Sequence, residues 1–193
     1  MADITGLILA GGEGRRVGGR NKGLLVCHGK PLVQHVLEIL LPQVSRVMIS
    51  ANRDLETYRS YGAPVYRDET PWLGQGPLAG LASCAAHVAA DTGTLMVVPC
   101  DTPLLPENLV SRLYEALQSD AQYEIAYAAT PARNHYSVFL CRPEINAALA
   151  QHIAAGRLSL NSWIARHRNI RVLFDDEQAF SNMNDLQTLT ENQ

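Results

Sequence analysis

The sequence contains no C-x-x-C pair, no apolar run of about eighteen residues and no excess of basic charge. Each absence removes a class of protein. Cys27, Cys84, Cys100 and Cys141 stand far apart, which excludes a zinc knuckle or a dithiol redox pair. They lie in or beside apolar runs, where a free cysteine acts as a small hydrophobe; reduced thiols and a cytoplasmic location are the expectation. Without a long apolar run there is no membrane-spanning helix. The opening stretch, MADITGLILAGG, carries an acid where a secretory leader needs a base, and its apolar part is short. A net charge of −3 gives no global attraction to nucleic acid or an anionic membrane, so any anion site must be local. Internal repeats, low-complexity tracts and linkers are also missing.

What remains is 193 residues, 47% apolar and 18% charged, in which strand-like and helix-like segments alternate. Residues 4–10 form an almost unbroken apolar run, as expected of a strand covered on both faces. Residues 31–41 place Leu32, Val33, Val36, Leu37 and Leu40 at helical spacing behind a proline. Strands are expected at 46–51, 65–67 and 94–101, and helices at 76–90, 106–117, 143–155 and 160–167. Asp54 could cap a short helix. The stretches EIAYAAT and YSVFLC read as a strand pair, antiparallel to each other, and RVLF and a short helix from Asp185 close the chain. The fold class expected is α/β: a Rossmann-like, mostly parallel sheet with helices on both faces and one antiparallel strand, in a single domain over 1–193. Such sheets bind ligands beyond the carboxyl ends of their strands.

Three segments stand at such ends. The first, LAGGEGRRVGGRNKG over 9–23, follows the first strand with six glycines, three arginines and Lys22. Glycines can turn successive N–H groups into one concavity, and with Arg15, Arg16 and Lys22 beside them they would cradle a polyphosphate. A P-loop is excluded, because Asn21 precedes Lys22 and Gly23 follows it. A dinucleotide fingerprint is weakened by Val17 at its third glycine position and by the absence of an acid after the second strand. The second segment brings Asp68 just ahead of ETPWLGQGPLAG; alone, a strand-end Asp is often a turn former. In the third, VVPCDTP, Asp101 ends the most apolar strand, where an unpaired carboxylate would be costly. It either caps the next turn or meets a cation, and Mg²⁺ is commonly held by one or two carboxylates with substrate phosphates and waters.

The glycine-rich signature resembles that of nucleotidyltransferases that activate a small molecule with an NTP and release pyrophosphate. Together with CDTP at 100–103, GPLAG at 76–80 and NMND at 182–185, the chain is similar over nearly its whole length to the molybdenum cofactor guanylyltransferases. The resemblance implies transfer of GMP from GTP to molybdenum-bearing molybdopterin, with Mg²⁺ as cofactor. It places a nucleotide-binding part at about 1–105 and a cofactor-substrate part at about 106–193. It implies backbone contacts to the nucleotide from Leu9, Ala10, Gly11 and Gly12, and catalytic phosphate contacts from Arg16 and Lys22. Asn52 and Asp68 would sit beside the guanine nucleotide, and Asp101 would bind both nucleotide and Mg²⁺. Gly80, His135, Asn182 and Asn184 would face the molybdopterin. Tyr136 departs from the family pattern, standing where a His-Pro-x stretch has its proline, and Val17 replaces a common Met. Hand-over of product to molybdoenzymes or their chaperones is a further implication, with no nucleic acid or membrane partner. A CTP- or sugar-phosphate-dependent nucleotidyltransferase and a non-catalytic molybdopterin or nucleotide carrier remain the alternatives.

Elsewhere the expected roles are structural. His28, His35, His87, His152 and His167 share no metal spacing and read as surface or helix-face residues. Trp72 and Trp163 read as packing anchors, Arg157 as solvated, and Asp175, Asp176 and Glu177 as an exposed turn.

Overall fold

The computed structural model describes residues 3–12, 21–88 and 93–182. In chain order its elements are β1 (Ile4–Leu9), β2 (Val26–Cys27), β3 (Lys30–Pro31), α1 (Leu32–Leu40), β4 (Arg46–Ser50), α2 (Leu55–Arg59), β5 (Val65–Tyr66), α3 (Pro77–Ala85), β6 (Thr94–Pro99), α4 (Leu109–Gln118), β7 (Ile125–Ala129), β8 (Asn134–Cys141), α5 (Leu149–Ala154), α6 (Leu160–Ile164) and β9 (Asn169–Leu173).

Seven strands form one sheet in the order β5-β4-β1-β6-β8-β7-β9. The two most apolar runs, β1 and β6, are parallel neighbours near its middle, because both need cover on each face. β8 is the one strand running against its neighbours, pairing antiparallel with both β6 and β7, while β9 runs parallel to β7. The mostly parallel sheet with one reversed strand matches the expectation. Helices cover both faces. On one face α1 and α4 bury Val33, Val36, Leu37, Leu40, Leu109, Leu113 and Leu117. On the other, α3, α5 and α6 bury Leu78, Leu81, Leu149, Ile153, Trp163 and Ile164. Among the described residues no helix is long and apolar enough to cross a membrane.

Element ends differ from the sequence reading in ways that have local causes. Residues 143–155 divide into a 3-10 stretch and then α5, and α4 starts at Leu109 rather than at Pro106. Asp54 does stand at the start of α2, but in the left-handed region at φ 52°, and its side chain makes no capping bond. The carboxylate instead accepts from Asn21 Nδ2 at 2.9 Å. A small hairpin, β2-β3, turns on His28 and Gly29 at φ 48° and 79°, the positive-φ pair that a two-residue hairpin loop requires. The helix expected from Asp185 lies outside the described residues.

Of the five histidines read as surface or helix-face residues, His28 and His87 are exposed as expected and His152 is the one that is buried. His87 stacks on Tyr66 at 3.9 Å. His152 is buried, faces Ser162 Oγ at 3.2 Å and meets the Trp163 ring edge-on, and His167 packs against the same indole. Trp163 is the packing anchor expected of it, fully buried on the α3/α5/α6 face. Arg157 is exposed, as expected, and Glu177 pairs with Arg133 at 3.2 Å. All four cysteines are free; burial pushes the thiols of Cys84, Cys100 and Cys141 up to about 12, so they act as hydrophobes.

Candidate active site

A cleft of about 640 Å³ opens at the carboxyl ends of β1, β4 and β6, within the range of small-molecule sites. Its wall includes Leu9, Ala10, Gly11, Gly12, Lys22 and Asp101. Asp68 and Gly80, also placed here by the sequence reading, line it too. These positions are up to 92 residues apart, and the sheet gathers them because the parallel strands β1, β4 and β6 end on the same side.

The electrostatic centre is an ion pair. Lys22 Nζ donates to Asp101 Oδ2 at 2.6 Å, across 79 residues of sequence. Both side chains are only partly exposed, 24% and 15%. Asp101 follows β6 directly, and Lys22 opens the single 3-10 turn 22–24. That turn is fixed from beside it by Asn21, whose Oδ1 accepts from the Tyr58 hydroxyl at 2.6 Å and whose Nδ2 donates to Asp54. Tyr58 is fully buried in α2, and burial pushes its hydroxyl far up, so it remains a donor at any working pH. Gly23 is needed at this junction: a Cβ there would stand 2.4 Å from the Tyr58 hydroxyl and 3.3 Å from Cys100 Sγ. Gly23→Ala is therefore expected to destabilise the protein by about 1–3 kcal/mol through overpacking, read as a lower thermal midpoint, with a weaker nucleotide affinity because Asn21 loses its anchor.

Asn52 does not line the cleft; it braces it. Its Nδ2 donates to Asp68 Oδ2 at 2.8 Å and to the Gly11 carbonyl at 3.3 Å, and its Oδ1 accepts the Asp68 N–H at 3.0 Å. Both amide hydrogens are thus engaged within the protein. Asp68 is left with Oδ1 buried and without a hydrogen-bond partner among the described residues. Burial pushes the Asp68 carboxyl above the ordinary aspartate range, opposed by the Asn52 amide and more weakly by the nearby Gly74 N–H.

The amino end of α3 forms another wall through Gly76, Pro77 and Gly80. Gly76 sits at φ 82°, ψ −164°, a conformation that only glycine takes easily, and from there the chain turns into the helix. A Cβ on Gly80 would fall 2.4 Å from Ser50 Oγ, so Gly80 lets α3 lie close on β4 as well as lining the cleft. The helix start also presents its positive end to any anion bound there.

Of the other expected residues, Asn182 and His135 are not among the cleft-lining residues. Arg16 and Asn184 lie outside the described residues. Asn182 is half-buried at the end of the described chain and is not among the cleft-lining residues. His135 turns away from the cleft: it is buried, stacked on Phe180 at 4.7 Å, with Nε2 3.2 Å from Thr130 Oγ1. Desolvation lowers its pKa, which favours a neutral ring. Ser137, two residues on, takes the place in the wall. Ser50, Gln75, Leu158 and Leu160 also line it and went unnoticed in the sequence; they follow no motif, and only tertiary packing brings them there.

Among the described residues no three His, Cys, Asp or Glu side chains converge as a metal cage. Two carboxylates, Asp68 and Asp101, line a cleft that also holds Lys22 and the start of α3; Asp68 is engaged by Asn52, which leaves Asp101, beside Lys22, as the one placed for a cation. That donor set fits a hard cation brought in with phosphates, which supply most of its ligands, and not a metal held by protein alone.

A Rossmann-like sheet with Lys22 and Asp101 paired in a cleft beyond its strand ends is built as a ligand site of the doubly wound α/β class. Residues 6–170 match the MobA-like NTP transferase domain. The molybdenum cofactor guanylyltransferase of Cupriavidus taiwanensis is 41% identical over 191 residues, covering 97% of this chain and 94% of that one. The one from Ralstonia nicotianae is 42% identical over 200 residues, covering 97% and 95%. The chain belongs to this family. Its fold is shared with the crystal structure of molybdopterin-guanine dinucleotide biosynthesis protein A from Archaeoglobus fulgidus, at a TM-score of 0.76 and 20% identity, covering 97% of each chain.

Proposed function

We propose that the protein transfers GMP from GTP to molybdenum-molybdopterin, releasing pyrophosphate and forming the molybdopterin guanine dinucleotide. The observation that carries this reading is the Lys22–Asp101 pair at the carboxyl ends of β1 and β6, inside a cleft walled by Gly11, Gly12 and the start of α3. The names of the relatives supply the nucleotide and the acceptor.

A terminal phosphate oxygen of the acceptor attacks the α-phosphorus of GTP in line, the bond to the β-phosphate oxygen breaks, and pyrophosphate leaves. No protein nucleophile is needed; the work is positioning and charge stabilisation. Lys22 stabilises charge on the transferred group and the departing pyrophosphate, and Arg16 would add a second cation. Asp101 would hold Mg²⁺, which when bound neutralises phosphate charge. Asp68, braced by Asn52 at the cleft wall, would accept from a donor on the guanine nucleotide. Residues 1–105 serve mainly the nucleotide and 106–193 the acceptor, and a cytoplasmic location belongs to the same reading.

Protonation turns Asp68 from an acceptor into a donor. Because burial raises its pKa, KM for GTP is expected to climb on acidification from a higher pH than an ordinary aspartate would impose, which a pH series of initial rates measures.

The decisive experiment measures pyrophosphate release with each of the four NTPs, with and without molybdenum-molybdopterin and Mg²⁺. Release from GTP alone, only with acceptor and metal present, is expected. Preference for CTP would indicate a different nucleotidyltransferase, and GTP binding with no product over long incubation would indicate a carrier.

A further inference from the structure

The carboxyl ends of β7 and β9 and the amino end of β8, which runs the other way, lie on the same edge of the sheet as the cleft. Here β8 carries a large bulge. Tyr127 of β7 pairs with Phe139, the next residue Ala128 pairs with His135, and Tyr136, Ser137 and Val138 have no partner on β7. Bulges re-aim side chains beside binding sites, and this one brings Ser137 to the cleft wall. Tyr136 next to it packs, half-buried, on the edge of the α3/α5/α6 core cluster that also holds the cleft residue Leu160. Its ring lies 5.1 Å from that of Tyr127, tilted by 37°.

The ring is held from the far edge of the sheet. Arg171 of β9 is the register partner of Tyr127, so both point to the same face. Arg171 Nε donates to Asn134 Oδ1 at 2.8 Å, and its Nη2 to the Thr130 carbonyl at 2.9 Å. Asn134 Nδ2 in turn donates to the Tyr136 hydroxyl at 2.9 Å. Arg171 and Asn134 are exposed, and ordering exposed side chains costs conformational entropy that core packing alone does not explain. An aromatic pair fixed this way beside a ligand cleft is a stacking surface.

We infer that Tyr136, oriented by Asn134 and Arg171, stacks the planar ring system of the acceptor, an assignment that depends on the acceptor being the molybdopterin proposed above. Because Tyr136 stands where the family pattern has proline, the platform sets acceptor affinity in this chain in particular.

The test is equilibrium binding of molybdenum-molybdopterin, followed by pterin fluorescence, with GTP affinity measured in parallel. Tyr136→Ala is expected to weaken acceptor binding roughly tenfold or more and to leave GTP affinity unchanged. Tyr136→Phe keeps the ring but removes the hydroxyl that accepts from Asn134, and is expected to weaken acceptor binding about as much as loss of the Arg171 brace, roughly 2- to 10-fold. Arg171→Gln lies outside the core; it releases Asn134 and is expected to weaken acceptor binding roughly 2- to 10-fold. Wild-type acceptor affinity in both Tyr136→Ala and Arg171→Gln, with GTP affinity intact, overturns the platform. A wild-type protein that binds GTP but not molybdopterin would instead overturn the proposed function, and the platform with it.

Discussion

Asp101→Ala is expected to lower guanylyl transfer by about 100–1,000-fold, the usual consequence of removing one preorganised charge from a site where charge develops. The fold should survive the change. Asp101 lies just beyond β6, partly exposed, and its side chain bonds to Lys22 and not to the core. Two effects combine in the loss. The carboxylate that would hold Mg²⁺ is gone, and the Lys22 ammonium, held at 2.6 Å in the native site, loses the partner that fixes it. Asp101→Asn separates shape from charge and is expected to lose nearly as much. Residual activity in either variant should need more Mg²⁺ than wild type. Since Lys22 and Asp101 act as a pair, Lys22→Ala combined with Asp101→Ala should cost less than the sum of the two single losses. Initial rates of pyrophosphate release over a Mg²⁺ series, with thermal melts as a folding control, decide it; full turnover in Asp101→Ala would remove both the metal assignment and the role of the pair.

The same residues show what was legible in the sequence. Ile4–Leu9 and Thr94–Pro99 declare themselves as buried parallel strands because a run covered on both faces must be almost continuously apolar, and that is a local property. Once they are strands, the rule that ligands sit beyond carboxyl ends brings Gly11, Lys22, Asp68 and Asp101 together without any long-range information. What stayed hidden depends on contacts between distant segments. Nothing near Asn21 shows that it bonds to Tyr58 and Asp54 and so fixes Lys22. His135 illustrates a second limit. In a strand the side-chain face alternates, and the three unpaired residues of β8 break that count, so His135 goes into the core and Ser137 into the cleft. A bulge leaves no trace in hydrophobic periodicity.

Asn52 is the clearest case of a residue whose chemistry changes once its partners are known. The sequence offers it as a nucleotide contact, but its two amide hydrogens go to Asp68 Oδ2 and the Gly11 carbonyl, and its oxygen takes the Asp68 N–H. Under the proposed function it would act on GTP through Asp68 and through the end of β1. Asn52→Ala would strand a buried carboxylate and a carbonyl, a cost of about 1–3 kcal/mol, or roughly 5- to 150-fold in affinity. The effect is expected in KM for GTP, with kcat less changed because Lys22 and Asp101 are untouched. The Asn52 bond is the main influence holding the Asp68 carboxyl down against burial. Its loss should therefore also move the acid rise of KM to higher pH. Asn52→Asp makes a sharper test, because it sets a second carboxylate against the first, and two such groups cannot both ionise easily. Its defect should shrink as acidification lets the pair share a proton, whereas the Asn52→Ala defect should grow. Parallel pH profiles of KM in the two variants, or a loss confined to kcat, would show that Asn52 does something other than brace Asp68.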